Sequence, residues 1–207
     1  MTSNSDTGMN YVDLQFGLAS ELGNAFSGIA NINLDLSGLG DIDQPIGDET
    51  FVGLTHDTYG TLTVGYQVMI MDDEGLGYDN DFGPTTLYLS DYIDLKAKRV
   101  VKYQYVNDNF FAGTSYANMS DETIFDDAKN SDGTDRNFEG DSGSYAVDAN
   151  FGLTMIDALM VIFYAGYYEL NDKKNNNKHT INAQGLDAEY IFNDMFAVSA
   201  SLSNVDF

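Results

Sequence analysis

The sequence predicts an all-β protein, an up-and-down antiparallel transmembrane β-barrel of about ten strands, possible as an incomplete barrel, and three observations carry that prediction. Apolar residues alternate with small polar ones at a period of two along most of the chain, which is the strand period and not the helix period. Connections alternate between short turns and long loops, so the short turns gather at one end of a meander, as they do in transmembrane barrels. The polar face carries Ser27, Asn31, Thr61, Thr63, Asn150, Ser199 and Ser201, and lysine is nearly absent from it. A sheet facing water would place Lys and Glu there, whereas a lumen tolerates small polar groups.

Each element follows from that pattern. Strands are predicted at 9–20, 24–36, 49–56, 59–69, 97–107, 109–119, 144–154, 157–170, 179–192 and 194–205. In the first, Val12, Leu14, Phe16 and Leu18 oppose Asp13, Gln15 and Gly17. In the second, Phe26, Ala30, Ile32 and Leu34 oppose Ser27, Asn31, Asn33 and Asp35. Leu62, Val64, Tyr66 and Val68 oppose Thr61, Thr63, Gly65 and Gln67. Tyr145, Val147, Ala149, Phe151 and Leu153 oppose Ala146, Asp148, Asn150 and Gly152. Phe196, Val198, Ala200 and Leu202 oppose Ala197, Ser199, Ser201 and Ser203. Around Phe110–Ala117 the pattern selects no face, and Leu159–Tyr168 is apolar on both.

The predicted short turns are Glu21-Leu22-Gly23, Asp57-Thr58, Asn107-Asp108, Ile156-Asp157 and Asn193-Asp194. Long loops fall at 37–48, 70–96 and 120–143, with a medium one at 171–178. Phe26, Tyr59, Phe110, Phe111, Phe192 and Phe196 lie beside the short turns, where an interfacial girdle is expected.

Composition removes several functions. The 207 residues hold 9 Lys and Arg against 33 Asp and Glu, a net charge of −24. That excludes the basic footprint of a nucleic-acid binder and a basic patch for anionic headgroups. With no Cys there is neither a disulfide framework nor a thiolate metal site. A content of 43% hydrophobic and 13% aromatic residues exceeds that of a disordered acidic tail. No apolar run approaches the roughly 18 residues of a membrane helix. The longest, Ala158–Tyr168, suffices for a membrane strand of roughly 9–11 residues. The opening MTSNSDTGMN lacks the basic and apolar regions of a secretory signal, so an internal piece or a removed leader is expected.

Charge is uneven. No Lys or Arg precedes Lys96, and Lys96, Lys98, Arg99 and Lys102 then cluster. Acids concentrate in the loops, among them Asp72, Asp73, Glu74, Asp79 and Asp81 in 70–96 and eight more between Asp121 and Asp141. Gathered at one end, they raise cation concentration at that mouth. No catalytic set stands out. His56 and His179 lack a nucleophile context, and Gly75-Leu76-Gly77 has no following Lys. The segment 130–143 misses the EF-hand spacing. The expectation is therefore no enzyme, no metal and no cofactor. A soluble, secreted acidic β protein binding calcium or glycans is the alternative that the acidity leaves open.

Several stretches, taken in order, resemble the Gram-negative general porins. FVGLTHDTYGTLTVGYQ (51–67) is similar to a porin hairpin, and LQFGLASELGNAFSGIANINLDL to the hairpin before it. RVVKYQYVNDNFFAGTSYA resembles the pair after the porins' long third loop, whose place 70–96 takes, and AEYIFNDMFAVSASL resembles a later hairpin. The resemblance implies a single porin-like domain over 1–207, partial relative to a sixteen-stranded homotrimeric barrel in the bilayer of the outer membrane. It implies passive diffusion of ions and small hydrophilic solutes, with 70–96 as the pore-constricting loop and 120–143 as an acidic external loop.

By the same resemblance, Asp72, Asp73, Glu74, Asp79 and Asp81 are the loop acids of the constriction. Arg99 and Lys102 are its basic side, and Gln15 and Gln67 belong to the lumen wall. Gln15 and Tyr66 stand where porins commonly carry Arg. That depletion implies a preference for cations. Ten strands are too few for the family barrel, so a fragment or truncated member is expected.

Overall fold

The computed structural model describes residues 13–35, 49–73, 96–121, 123–124, 138–156, 159–174, 177–193 and 196–206. Ten strands form one antiparallel sheet. They are β1 (Asp13–Gly23), β2 (Phe26–Asp35), β3 (Thr50–His56), β4 (Gly60–Val68), β5 (Lys96–Val106), β6 (Phe110–Asn118), β9 (Tyr145–Ile156), β10 (Leu159–Asn171), β11 (Lys178–Asn193) and β12 (Phe196–Asp206). Two short strands, β7 (Thr123–Ile124) and β8 (Phe138–Glu139), pair as a separate ribbon. A single helical turn, α1 (Ile70–Asp73), follows β4. Each long strand pairs with the next in sequence, and β1 and β12 are the edges of the described sheet.

Every predicted strand overlies an observed one, and the turns sort to one end as expected. The first turn is a correction. β1 continues through Glu21-Leu22-Gly23, and the reversal falls on Asn24 and Ala25, at φ 52° and 62°. The register shifts between Glu21 and Gly23, so that glycine, at φ 91°, serves a bulge rather than the turn itself. At the next turn Thr58 N donates to His56 Nδ1 at 2.9 Å. Asn107 Oδ1 closes the third, accepting from Asn109 N at 2.8 Å and Phe110 N at 2.9 Å. The residues of the last two turns lie largely outside the described set.

The two faces differ as the alternation requires. We call the face carrying α1 the inner face. The outer face presents Phe16, Leu18, Val52, Val64, Phe163 and Leu202, all exposed, Leu202 to 73%. So many large exposed apolar groups on one face fit hydrocarbon and not water. Aromatics band this face near the short turns. Phe26 meets His56 with ring centroids 4.4 Å apart, His56 meets Tyr59 at 4.4 Å, and Tyr190 meets Phe192 at 4.7 Å. A second band, not anticipated, lies toward the loop ends, where Tyr116, Tyr145 and Tyr167 follow one another at 6.4 and 5.9 Å.

Phe111 leaves the expected girdle. Its ring lies on the inner face over Gly152, where a Cβ would meet it, with Phe111 Cδ1 at 2.8 Å. Gly152→Val is therefore expected to displace Phe111 and cost about 1–3 kcal/mol, the usual range for overpacking. Urea unfolding from lipid vesicles measures this, and an unchanged midpoint would show that the ring does not need that space.

Candidate functional site

The inner face combines small polar groups with a buried apolar patch that includes Ala97, Val100, Ala117, Ala146, Tyr168 and Ile181, and one segment folds back onto it. Within the end of β4, Thr63 Oγ1 donates to Gln67 Oε1 at 2.8 Å, and Gln67 Nε2 donates to Val100 O at 3.4 Å. Both polar side chains are buried, as hydrogen-bonded groups can be without penalty. The chain then leaves the sheet at Met69, and α1 crosses to β6, β9 and β10. Met69, Ile70 and Met71 are buried there.

Two backbone N–H groups of that turn find acceptors on the wall. Ile70 N donates to Ser115 Oγ at 3.0 Å, and Met71 N donates to Asp148 Oδ2 at 2.9 Å. The Ser115 hydroxyl in turn donates to Asp148 Oδ1, so the carboxylate, only 2% exposed, is bonded through both oxygens. Burying an acid in this way is tolerable only because its acceptor sites are filled. Tyr168 OH donates to Met71 Sδ at 3.4 Å. Two glycines hollow the wall for α1. A Cβ on Gly113 would lie 2.6 Å from Ile70 Cδ1, and one on Gly166 would lie 2.5 Å from Met71 Sδ.

Strand register sets the lateral order. Thr63, Lys102, Ser115, Asp148 and Gly166 are successive partners across β4, β5, β6, β9 and β10. Lys102 is thus a buried cation, 5% exposed, in the same row as the α1 anchor. Further along the inner face, Ser201 Oγ bonds Asp187 Oδ1, and Glu189 follows two residues later with Ser199 as its partner. On the other side, Gln15 Nε2 donates to Asn31 Oδ1 at 3.1 Å, and Asn31 Nδ2 donates to Glu49 O at 2.9 Å.

The expected site residues separate. Gln15, Gln67 and Lys102 share the inner face through the register above. Arg99 alternates with buried Val100 and so takes the face of Val101 and Tyr103. Its guanidinium donates to Asn118 Oδ1 at 3.4 Å and pairs with Asp121 Oδ2 at 3.7 Å, and Lys173 Nζ reaches Asp121 Oδ1 at 3.4 Å. Those contacts place Arg99 at the rim of the loop end. Asp72 and Asp73 belong to α1, while Glu74, Asp79 and Asp81 lie outside the described residues. Of 120–143, the ribbon of β7 and β8 is described, and an isolated bridge joins Gly140 to Asp172.

Sequence reasoning missed Ser115, Asp148 and Glu49 as site residues, while Asn31 was read among the small polar groups of the lumen face. Asp148 did carry a signal, being a lone acid in the middle of a strand whose polar face is otherwise small or amide.

The sequence model of the family described as Gram-negative porin matches residues 1–206. The porin-like protein H of Photobacterium profundum is 31% identical over 173 residues, covering 77% of this chain and 45% of the relative. The chain thus spans less than half the length of that curated relative. Among solved structures, the loop L8 deletion mutant of OmpT, an outer membrane protein of Vibrio cholerae, superposes with a TM-score of 0.53 at 16% identity, over 93% of this chain and 72% of that one. In-vitro folded OmpT of the same organism, in trimer form, gives 0.52 at 18% identity, over 95% and 69%.

Proposed function

The chain belongs to the Gram-negative porin family of the outer membrane, and we propose that its inner face lines a water-filled passage through which cations and small hydrophilic solutes diffuse passively. One observation carries the reading: the segment after β4 folds onto the polar face and is bonded there through Ser115 and Asp148, while the opposite face is apolar and exposed. A soluble acidic protein binding calcium or glycans gives no account of that apolar face. The channel needs no catalytic step, so the protein acts by shape and charge.

Cation preference rests on the carboxylates of the inner face, Asp148, Asp187 and Glu189, and on the acids of 70–96, Asp72, Asp73, Glu74, Asp79 and Asp81. On the wall, Lys102 is the cation of the row that holds Asp148, with Gln15 and Gln67 as neutral wall groups. Acidic lining concentrates cations and repels anions within a Debye length of roughly 8–10 Å. In hydrocarbon the edges β1 and β12 must be paired, because unpaired backbone groups cost several kcal/mol each. A barrel closed by further strands meets that need, and the trimer form of one similar structure supports a homotrimer.

The test is planar-bilayer recording of the full-length polypeptide under a KCl gradient. Discrete current steps are expected, with a reversal potential toward that of potassium. A reversal toward chloride would overturn the cation preference, and absence of steps would overturn the channel.

A further inference from the structure

The cations are not spread evenly over the described residues. Arg99 near the start of β5, Lys173 and Lys174 after β10, and Lys178 at the start of β11 all stand at the loop end of the sheet. Arg99 and Lys173 share one acid: Asp121 Oδ2 lies 3.7 Å from the guanidinium and Asp121 Oδ1 lies 3.4 Å from Lys173 Nζ. Lys178 Nζ lies 2.8 Å from Glu169 Oε1. The side chains of Arg99, Lys173 and Lys178 are 51%, 45% and 55% exposed, and Lys98 and Lys174, next to them in the chain, are exposed as well. The net charge of −24 speaks against a basic patch only as an average, and this rim departs from the average.

Face and height follow from the strands. Arg99 takes the outer face, and so does Glu169, which alternates with buried Tyr168 and Leu170; Lys178 reaches Glu169 there. Asn118, which accepts from Arg99, is the partner of Tyr145 across the strands, and Tyr145 is in turn the partner of Glu169. The cations therefore stand level with the loop-side band of Tyr116, Tyr145 and Tyr167, or just beyond it. Tyrosine bands mark the boundary between hydrocarbon and headgroups, so these cations lie at headgroup height on the face turned to lipid. Glu169 also accepts from Tyr167 OH at 3.0 Å and Tyr145 OH at 3.5 Å, so its charge is shared among three donors and is not spent on the lysine alone.

We propose that this rim is a docking site for the phosphate of an anionic lipid headgroup in the outer leaflet. Two cations on one carboxylate leave an excess of positive charge, which an anion completes. A guanidinium presents paired N–H groups that match phosphate oxygens, and the lysines add point charges. The side of the sheet selects the lipid over a free ion, because the polar face that solutes would follow is the opposite one. Below the rim, Val101, Tyr116 and Val147 are successive partners across β5, β6 and β9 and are exposed. They offer the acyl chains of the same lipid an apolar surface. The proposal uses only the lipid-facing side and does not depend on which ions the inner face passes.

The experiment places the full-length polypeptide in phosphatidylcholine vesicles that carry spin-labelled phosphatidic acid or spin-labelled phosphatidylcholine. The fraction of each label immobilised by the protein gives their relative affinities. Phosphatidic acid is expected to be preferred, and the preference should weaken as NaCl is raised. Arg99→Gln and Lys173→Gln should each cut it about fivefold, the worth of one Lys or Arg at an anionic surface. Equal immobilisation of the two labels on the unsubstituted protein overturns the site, and that arm needs no variant to fold. A preference that both variants keep in full overturns its placement at this rim. Inorganic phosphate is the last arm: if it displaces the label no better than NaCl of equal ionic strength, the lipid is the ligand. If it displaces the label far better, the rim takes free phosphate and the lipid assignment falls.

Discussion

Asp148→Ala is expected to detach the segment after β4 from the wall and to destabilise the protein by roughly 2–5 kcal/mol. Two buried donors lose their acceptor together: the N–H of Met71 at 2.9 Å and the hydroxyl of Ser115. Each orphaned buried donor costs roughly 1–3 kcal/mol, and the cavity adds to that. Ser115 also accepts from Ile70 N at 3.0 Å, so losing its orientation loosens the second anchor as well. Asp148→Asn should fall between Asp148→Ala and the unsubstituted protein, because its single carbonyl can keep one of the two donors while its amide presents hydrogens to the other.

Urea unfolding from vesicles measures the stability, and single-channel recording measures the looseness of the segment as a broader spread of open currents. Equal midpoints and equally sharp current levels in Asp148→Ala and the unsubstituted protein would show that the anchor does not hold. Ser115→Ala separates the roles. It removes the acceptor of Ile70 N but leaves the carboxylate on Met71 N, so its cost should be smaller and not additive with that of Asp148→Ala.

How far this was legible in the sequence depends on the range of the interactions. Strands were legible because alternation is local: Leu14, Phe16 and Leu18 against Gln15 and Gly17 needs no distant partner to be read. Turn position was less so, since Gly23 looks like a turn residue and is one step short of it, with Asn24 and Ala25 taking the left-handed backbone. The α1 turn is four residues long, too short for a period to appear. Its anchors are remote in sequence, joining Met71 to Asp148 and Ile70 to Ser115, so only the fold brings them together. The face of Arg99 was legible by the same local rule: it lies three residues from Lys102 along β5, and alternation puts the two on opposite faces, so the resemblance that grouped them as one basic side conflicts with the strand period.

A second large effect belongs to the outer face. Val64→Arg and Phe163→Arg are each expected to cost about 2–4 kcal/mol, the penalty for arginine on the lipid side of a barrel near the bilayer midplane. Both positions are exposed, Val64 to 47% and Phe163 to 48%, so the main cost would be that of placing charge in hydrocarbon. Arginine one face away gives the opposite expectation. At Gly17 a side chain meets open space; at Ser201 it faces Asp187, its partner across the strands. Water and a carboxylate there compensate the charge, and the change should stay within about 0.5 kcal/mol, as for surface substitutions.

The comparison is made by folding the four variants into vesicles and reading urea midpoints. Adding a net charge of the same sign to each cancels the effect of charge itself, so only the side of the sheet differs. If all four fell equally, neither face would be lipid-exposed and the apolar surface would have to be buried by another part of the protein. If the two outer variants alone fell, hydrocarbon would be the only solvent that fits that surface, and the polar face with its Asp148 anchor would be the one left to water.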